Sequence, residues 1–364
     1  MAVNFQMSDG MNYAPEGKPS PVVGPGEFVF AAIGLDHGHI YGMCNGLIEA
    51  GATLKYVYDP DPVKVADFCR RYPGVTAARS EEEIFSDDEV KLVAGAAVTS
   101  ERCALGLRVI DAGKDYFTDK APFTTLAQLA VAKMKVARTG RKYMVYYGER
   151  LHNESAIYAG QLIQKGAIGR VVQVLGLGPH RLNAPSRPDW FFKKEKYGGI
   201  LCDIGSHQAE QFLAYAGETE AHVVHSQIGN FAHPEYPELD DFGDALIVGG
   251  SGATQYFRVD WFTPDGLRTW GDGRTMILGT DGYIELRKYI NVGTDDGSDQ
   301  VFLVDKKGEH RFCARGQVGF PFFGDLIKDC IDRTENAMTQ AHAFLAAELA
   351  LTAQANAEII HKQP

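Results

Sequence analysis

Hydrophobic positions divide the chain into two regions with different periodicities. In the first, short apolar runs alternate with longer segments in which apolar residues recur at helical spacing. The runs are FVFAAI (28–33), TLKYVY (53–58), VKLVAGAAV (90–98), DYFTD (115–119) and KYMVYY (142–147). Alternating strands and helices favour right-handed crossovers and a parallel sheet. We therefore predict a doubly wound α/β domain over residues 28–150.

The second region, after about residue 169, is rich in strand patterns. The predicted strands are RVVQVLGLG (170–178), AHVVHSQIGNF (221–231), DALIVGG (244–250), TQYFRVDWF (254–262), RTMILG (274–279), YIELRKY (283–289) and VFLVD (301–305). Several alternate polar and apolar residues, which is typical of an open, mostly antiparallel sheet with two unlike faces. A helical pattern at 203–217 interrupts them and ends at Gly217. We predict an α+β domain over residues 151–338.

The two ends of the chain have their own patterns. Residues 1–27 contain Pro15, Pro19, Pro21 and Pro25, and this composition cannot form a helix or a central strand. We predict an extended arm that is either a disordered tail or lies across a neighbouring subunit. The Ala- and Leu-rich segment 339–361 predicts a last helix, within a C-terminal segment 339–364 that packs back on the molecule.

Composition narrows the range of partners. The 364 residues, 45% of them hydrophobic, are enough for two domains with separate cores. A net charge of -11 repels polyphosphate backbones, so we expect no nucleic-acid or membrane partner and a small-molecule ligand instead. The six cysteines have no C-x-x-C spacing, and no apolar stretch or leader pattern suggests a membrane or export. We therefore predict a cytoplasmic protein with reduced thiols.

The turn after the first strand, AAIGLDHGHIYG (31–42), resembles a nucleotide-binding turn with a rewritten middle. When the dinucleotide-binding pattern G-x-G-x-x-G is aligned with its first glycine at Gly34, Asp36 and His39 take the places of the second and third glycines. A carboxylate there repels a pyrophosphate unless it points away or meets a cation. Gly38 still allows close approach, and N–H groups at the helix N-terminus bind anions. The predicted contacts of a nucleotide are Gly34, Asp36, His37, Gly38 and His39; the alternative is a turn that needs glycines for geometry alone.

Two further residues follow predicted strands. Asp59 comes 21 residues after Gly38, where an acidic residue accepts hydrogen bonds from the adenosine ribose and repels a 2′-phosphate. This favours NAD over NADP; the alternative is a turn or helix-cap aspartate. Lys120 follows the strand DYFTD, at the sheet edge where open α/β proteins bind ligands, and could bind a substrate oxygen and the nicotinamide ribose. Its alternative is a solvated loop lysine.

Asp203 and His207 are four residues apart in a predicted helix, so their side chains project from one face. Histidine suits proton transfer near neutral pH, and a nearby carboxylate orients it. The alternatives are a helix cap, a surface pair, or half of a metal site with His180, which has no metal-ligand spacing. We predict no metal.

Taken together, these motifs resemble the Gfo/Idh/MocA dehydrogenases, named for glucose-fructose oxidoreductase and inositol dehydrogenase. The stretch GGILCDIGSHQAEQ (198–211) matches the family pattern GG-x3-D-x-G-x-H-x2-D at Gly198, Gly199, Asp203, Gly205 and His207, with Glu210 in place of the last aspartate. The family's E-K-P motif appears as DKAP (119–122), so Lys120 is retained beside a shorter acid and an inserted alanine. The resemblance implies a Rossmann domain and a second α/β domain whose open sheet often forms the subunit interface.

The resemblance implies a function as well. We expect an oxidoreductase that transfers hydride between NAD, or less favourably NADP, and a hydroxyl carbon of a sugar, polyol or derivative. His207 or Lys120 would be the base, Lys120 would stabilise the oxyanion, and Asp203 would orient the pair. The loop 178–192 offers tentative substrate contacts, with Arg181 or Arg187 as receptors for a carboxylate, or is merely held by its aromatic residues. These tentative residues are His180, Arg181, Asn183, Arg187 and Trp190.

Two alternative functions stay open at this stage. One is an NAD-retaining epimerase or eliminase with no net redox change, and the other is a nucleotide-free sugar-binding or regulatory protein on the same fold. We also expect a homodimer or homotetramer formed through the C-terminal sheet.

Overall fold

The computed structural model describes residues 10–294 and 297–361 of the chain. The first nine residues of the predicted arm and the last three of the predicted C-terminal segment lie outside this part. Contacts divide the described residues into two compact units. We call Met11–Tyr146 with Phe320–Phe344 the Rossmann unit, and Gly10, Tyr147–Gly319 and residues 345–361 the sheet unit. The domain bounds predicted above, with breaks after 27, 150 and 338, stay a prediction. No helix in the described ranges is long and apolar enough to cross a membrane.

The Rossmann unit is built on a six-stranded parallel sheet. Its strands are β1 (Val29–Ile33), β2 (Thr53–Tyr58), β3 (Thr76–Ala77), β4 (Val90–Gly95), β5 (Asp115–Asp119) and β6 (Tyr143–Tyr146). They lie in the order β3-β2-β1-β4-β5-β6, and every pairing is parallel. The predicted doubly wound sheet is therefore confirmed. The strand order reverses between β1 and β4, and the carboxyl ends of these strands mark the place where such sheets bind ligands.

Five helices connect the strands of this sheet: α1 (His39–Glu49), α2 (Pro62–Arg71), α3 (Glu81–Phe85), α4 (Arg102–Asp111) and α5 (Leu126–Thr139). Local sequence fixes their ends. The Asp61 carboxylate accepts the N–H of Val63 at the start of α2, with Pro62 in the first turn. The Thr125 hydroxyl accepts the N–H of Gln128 at the start of α5, and Gly140 ends that helix at a φ of 65°.

The sheet unit contains a nine-stranded mixed sheet. Its strands are β7 (Val171–Pro179), β8 (Ala221–Gly229), β9 (Phe242–Gly249), β10 (Thr254–Asp260), β11 (Arg274–Gly279), β12 (Tyr283–Arg287), β13 (Gln300–Asp305), β14 (Gly308–Cys313) and β15 (Glu358–His361). The order is β14-β13-β12-β11-β7-β10-β9-β8-β15. Only the β7–β10 and β8–β15 pairings are parallel in this described sheet, so the predicted open, mostly antiparallel sheet is confirmed. The hairpin strand β14 was not predicted, because its sequence GEHRFC has few apolar residues.

One face of this sheet is covered by helices. The helices of the unit are α6 (Gly148–Leu151), α7 (Glu154–Gln164), α8 (Lys194–Tyr197), α9 (Ile200–Asp203) and α10 (Gly205–Ala216). On the other face, Leu175 of β7 pairs with Tyr256 of β10 and Met276 of β11, and all three side chains are about 40% exposed. We call these three residues the apolar row.

The C-terminal part of the chain differs from its prediction. Helix α11 (Pro321–Asp332) precedes α12 (Gln340–Asn356), which ends five residues before the predicted helix end at 361. Residues 358–361 instead form β15, which pairs in parallel with β8. The prediction of helix there was wrong because Ile359 and Ile360 are β-branched residues that an available strand edge can pair.

The described part of the arm lies along α1 of its own chain, which neither predicted alternative anticipated. The N–H groups of Ser20 and Val22 donate to the carbonyls of Glu49 and Ala50, at 2.8 and 2.9 Å. At the other end of the helix, a Cβ added to Gly38 would lie 2.6 Å from the Met11 carbonyl oxygen. Residues 11–22 therefore run from the first turn of α1 to its last.

Candidate active site

The glycine turn follows β1 and leads into α1, at the carboxyl edge of the parallel sheet. Gly34 has a φ of 78°, and a Cβ there would lie 2.9 Å from the Cβ of Ala97. Its N–H donates to the Tyr58 carbonyl, and its own carbonyl accepts the Ala96 N–H, at 3.1 and 3.0 Å. Only glycine combines this left-handed conformation with so close a neighbour. The turn is therefore held between the ends of β2 and β4.

Several N–H groups of the turn already have partners within the protein. The Leu35 N–H donates to the Asp59 carboxylate at 2.6 Å, and the His37 N–H donates to the Ala96 carbonyl at 2.9 Å. The His39 N–H donates to Nδ1 of His37 at 3.2 Å. Within the described ranges, this leaves the N–H groups of Asp36 and Gly38 without an acceptor. Those two donors can bind an anion at the N-terminus of α1.

Asp36, the unusual acid of the turn, meets a cation. One carboxylate oxygen lies 2.6 Å from Nζ of Lys64, and the other accepts the Val98 N–H at 3.2 Å. This is the condition under which the sequence allowed a pyrophosphate at the turn. The negative charge of Asp36 is therefore balanced locally.

Asp59 lies at the end of β2 and is buried. Besides Leu35, its carboxylate accepts the N–H of Asp61 at 2.9 Å, while Asp61 and not Asp59 caps α2. The helix-cap half of the alternative is therefore wrong for Asp59, whereas the bond from the N–H two residues on is that of a turn aspartate. Each oxygen accepts one N–H, so each retains acceptor capacity for a ribose hydroxyl.

A buried charge cluster lies beside the turn and centres on Asp119 at the end of β5. Nδ1 of His39 and Nδ1 of His37 lie 2.9 and 3.4 Å from its two oxygens, and Nη2 of Arg102 lies 3.1 Å from the second. Burial acts to raise the pKa of Asp119, but its electrostatic interactions with His39, Arg102 and His37 outweigh burial, and the pKa is lowered. Burial, with a contribution from His39, lowers the pKa of His37 well below its usual value.

The same cluster places one donor atom each from His37, His39 and Asp119 within 4.8 Å of one another, close enough for a metal ion. Its charge argues against one. Arg102 already balances the carboxylate, Lys120 contributes further positive charge, and a divalent cation would have to be added to both. We interpret the cluster as a network that fixes the conformation of the turn.

Lys120 directly follows β5 and is only 4% exposed. Its N–H donates to Asp119 at 2.8 Å, and Arg102 donates to the carbonyls of Lys120 and Ala121. The peptide bond between Lys120 and Ala121 is cis. The alternative of a solvated loop lysine is therefore wrong. A buried ammonium at the carboxyl end of a parallel strand is suited to bind an oxygen of a ligand.

Asp203 and His207 lie in the sheet unit, in the segment predicted as one helix. The structure has two helices there, with Asp203 ending α9 and His207 in the first turn of α10, separated by Ile204 in helical conformation. Both side chains are buried. Gly199, with a φ of 99°, precedes them where a Cβ would lie 2.2 Å from the Gln354 side chain. Gly199 thus allows the chain to pack closely against Gln354 just before the candidate residues.

Sequence reasoning missed a buried polar layer behind His207. Nζ of Lys288 lies 2.9 Å from Oε2 of Glu149 and 2.6 Å from Oε1 of Gln211. Gln208 also donates to Glu149, at 3.1 Å. Burial raises the pKa of Glu149, but Lys288, His207 and His180 outweigh it and hold the pKa at about 2. Glu149 and Lys288 are 139 residues apart, and no local pattern connects them.

The tentative substrate residues of the loop after β7 divide into two groups. His180 is buried, with its ring centroid 4.6 Å from that of Trp270 and 5.5 Å from that of Trp261. Asn183, at a φ of 44°, and Trp190 are partly exposed. All three side chains belong to the sheet unit, as do Asp203 and His207.

The two arginines of this loop are bound to backbone. Nη2 of Arg181 donates to the carbonyls of Pro264 and Leu267, at 3.0 and 2.7 Å. Nε of Arg187 donates to the Leu182 carbonyl at 2.9 Å, and its guanidinium stacks 4.6 Å from the Phe191 ring centroid. These contacts are typical of arginines that hold a loop in place, the alternative given above for this segment.

Comparisons with known proteins agree with this architecture. A family model described as the GFO/IDH/MocA C-terminal domain matches residues 157–285. A crystal structure from Erwinia carotovora atroseptica SCRI1043, provisionally assigned as an oxidoreductase, is 53% identical with a TM-score of 0.89, over 92% of this chain and 100% of that one. A levoglucosan dehydrogenase, in complex with NADH and levoglucosan, shares the fold at 18% identity and a TM-score of 0.74, over 91% and 98% of the two chains.

A curated relative is more distant. A D-xylose dehydrogenase from Paenarthrobacter nicotinovorans is 24% identical over 152 residues, which are 40% of this chain and 38% of that protein. The match thus spans well under half of the relative. From the family model, the close structural relative, and the parallel and mixed sheets described above, we conclude that this chain belongs to the Gfo/Idh/MocA family.

Proposed function

We propose that the protein is an NAD(P)-dependent oxidoreductase that transfers hydride between the nicotinamide and a hydroxyl carbon of a sugar, a polyol or a derivative. The observation that carries this proposal is the buried Lys120 at the carboxyl end of β5, beside a turn that keeps two N–H donors at the N-terminus of α1. Its relatives named as dehydrogenases of D-xylose and levoglucosan support the substrate class.

The residues of the turn fit a dinucleotide. The N–H groups of Asp36 and Gly38 would hold the pyrophosphate, with the charge of Asp36 balanced by Lys64, and Asp59 would accept the ribose hydroxyls. When bound, the nicotinamide supplies the acceptor or donor of the hydride.

The protein's own groups would handle the proton. His207 would take the proton of the hydroxyl that is oxidised, Lys120 would stabilise the developing oxyanion, and Asp203 would orient them. Lys120 is the alternative base. His180, Asn183 and Trp190 are proposed as further substrate contacts, whereas Arg181 and Arg187 have the backbone contacts described above.

Asp59 and its neighbours should set the choice of cofactor. Asp36, Asp59 and Asp61 surround Lys64, so this region carries more negative than positive charge and disfavours a 2′-phosphate. We expect NADH to bind at least about tenfold more tightly than NADPH, a difference of about 1.4 kcal/mol. Titration followed by nicotinamide fluorescence measures this directly, and Asp59→Asn should narrow the difference. Equal or tighter binding of NADPH would contradict the assignment of Asp59.

One observation favours a second candidate, a sugar-binding protein that uses no nucleotide. The Met11 carbonyl and the Asn12 side chain pack against Gly38, where a pyrophosphate would approach. Four N–H groups of the turn already donate hydrogen bonds within the protein. Mass spectrometry for a copurified nucleotide, followed by the same titration, separates the two functions. Absence of a resident nucleotide together with no binding of NADH or NADPH would favour this candidate.

We also propose that the apolar row forms the contact between subunits of a homodimer or homotetramer. Leu175, Tyr256 and Met276 present adjoining apolar side chains on an otherwise open sheet face. Met276→Glu should shift the protein to a smaller species in light scattering coupled to size exclusion. Met134→Glu, at a 66% exposed position on α5, is the matched control and should leave the mass unchanged. An unchanged mass of the Met276 variant would contradict this interface.

A further inference from the structure

Several buried polar atoms of the sheet unit lack a hydrogen-bond partner in the described part of the chain. Three of them are Oε1 of Glu149, Nε1 of Trp261 and Oγ1 of Thr263. Their side chains are between 4 and 8% exposed. Buried polar groups are nearly always satisfied in native proteins, and the exceptions commonly mark the place of a ligand or an ordered water. Their combination, one charged acceptor, one donor and one hydroxyl, is suited to hydroxyl groups.

These atoms belong to residues that neighbour His180. The His180 N–H donates to the Asp260 carbonyl at 2.8 Å, and the Thr263 N–H donates to the His180 carbonyl at 3.1 Å. The Trp261 ring meets the His180 ring edge to face. Glu149 lies close enough to His180 and His207 for both histidines to lower its pKa. The three residues are therefore neighbours of His180, one of the proposed substrate contacts.

The charges of this region determine which ligand it can accept. Glu149 is held as a carboxylate by Lys288, so its unpartnered oxygen can only accept a hydrogen bond. A ligand carboxylate at that point would face a like charge. Arg181 and Arg187, the arginines of the loop, donate to carbonyls of Pro264, Leu267 and Leu182. The Arg187 guanidinium also lies 4.9 Å from the Trp261 ring centroid, so the region carries charges of both signs. It is at Oε1 of Glu149 that a neutral donor is favoured over an anion.

We propose that Glu149, Trp261 and Thr263 form a subsite for the non-reacting hydroxyl groups of a neutral, polyhydroxylated ligand, and that this subsite discriminates against sugar acids. Oε1 of Glu149 accepts from one hydroxyl, Nε1 of Trp261 donates to another, and the Thr263 hydroxyl does either. The identification of this ligand as the substrate rests on the proposed function, whereas the binding preference does not.

The test compares neutral sugars with their acids. Calorimetry on the full-length protein, with and without NADH, would measure the dissociation constants of D-glucose against D-glucuronate, D-galactose against D-galacturonate, and D-xylose against D-xylonate. We expect at least one neutral sugar to bind at least about tenfold more tightly than its acid. Glu149→Gln should reduce this ratio by about tenfold, because an amide no longer repels a carboxylate.

Two further variants and a control test the subsite even if Glu149→Gln does not fold. Trp261→Phe and Thr263→Val remove one polar atom each, keep the shape, and should each weaken binding of the neutral sugar by about three- to tenfold. Glu218→Gln is the control: this buried carboxylate of the same unit has both oxygens bonded to Ser251, and its replacement should leave the ratio unchanged.

The outcomes separate the subsite from the enzyme. Equal or tighter binding of the acids, no binding of any pair, or full affinity in the Trp261 and Thr263 variants would overturn the subsite. Selective binding of neutral sugars by a protein that binds no NADH would uphold the subsite and overturn the proposed function.

Discussion

Replacing His207 with alanine should lower turnover by about 100- to 10,000-fold and leave NADH binding nearly unchanged. His207 lies in the first turn of α10 in the sheet unit, whereas the turn, Asp59 and Lys120 lie in the Rossmann unit. Loss of the imidazole therefore removes the proton acceptor without altering the proposed nucleotide contacts. The measurement combines steady-state rates, taken with the neutral sugar that binds most tightly, with an NADH titration of the same sample.

His233 provides a matched control for this variant. It is another histidine of the sheet unit, and its Nδ1 lies 2.9 Å from the Asp241 carboxylate. His233→Ala should retain turnover. If His207→Ala loses turnover and NADH binding together, the role of His207 is structural. If the variant retains turnover, Lys120 is the base.

Replacing Lys288 with methionine should destabilise the protein by about 3–5 kcal/mol at neutral pH. Lys288 is fully buried, and its ammonium is the cation that faces Oε2 of Glu149. Removing one partner of a buried pair leaves the other charge in a poorly solvating interior, which costs more than the pair itself contributes. Urea unfolding of the two proteins under identical conditions measures the difference in the free energy of unfolding.

The loss of unfolding free energy in Lys288→Met should become smaller as the pH falls. In the native chain the pKa of Glu149 is held at about 2, so the stability contributed by this carboxylate is complete above the ordinary glutamate pKa and declines as pH falls toward 2. Without Lys288, burial raises the folded pKa of Glu149. The variant then gains stability relative to the native protein on acidification, and the difference should be smaller at pH 5 than at pH 7.5.

A double variant tests this explanation. Glu149→Gln combined with Lys288→Met removes both charges and should be less destabilised than Lys288→Met alone, because no unpaired charge is buried. A cost of the single variant that does not change between pH 5 and pH 7.5 would place its origin in packing rather than in the charge of Glu149.

The elements that the sequence predicted well are those fixed by neighbours in the chain. The turn from Gly34 and the strands before and after it are separated by short, regular intervals, so periodicity and spacing were sufficient. The end of α12 was predicted wrongly because Ile359 pairs with Ile228 of β8, which lies 131 residues earlier in the chain. Local helix preference cannot report the presence of such an edge.

Parts of the candidate site depended on contacts between distant segments. Glu149 and Lys288 have no pattern of their own, and only the sheet brings the end of β12 beneath α6 and α10. Arg181 and Arg187 carried the right chemistry for a carboxylate, but the sequence could not show that backbone carbonyls take their donors. Asp119 looked like a weakened family motif, whereas the structure gives it His37, His39 and Arg102 as partners.

The arm and helix α1 should differ in how well they tolerate substitution. At Gly38 a Cβ would lie 2.6 Å from the Met11 carbonyl oxygen, which is main chain and is present whatever residue stands at position 11. Substitutions at position 11 that preserve the backbone should therefore be accepted, whereas Gly38 should accept almost none. Among diverging relatives, the residue at position 11 should change while the glycine at position 38 stays fixed.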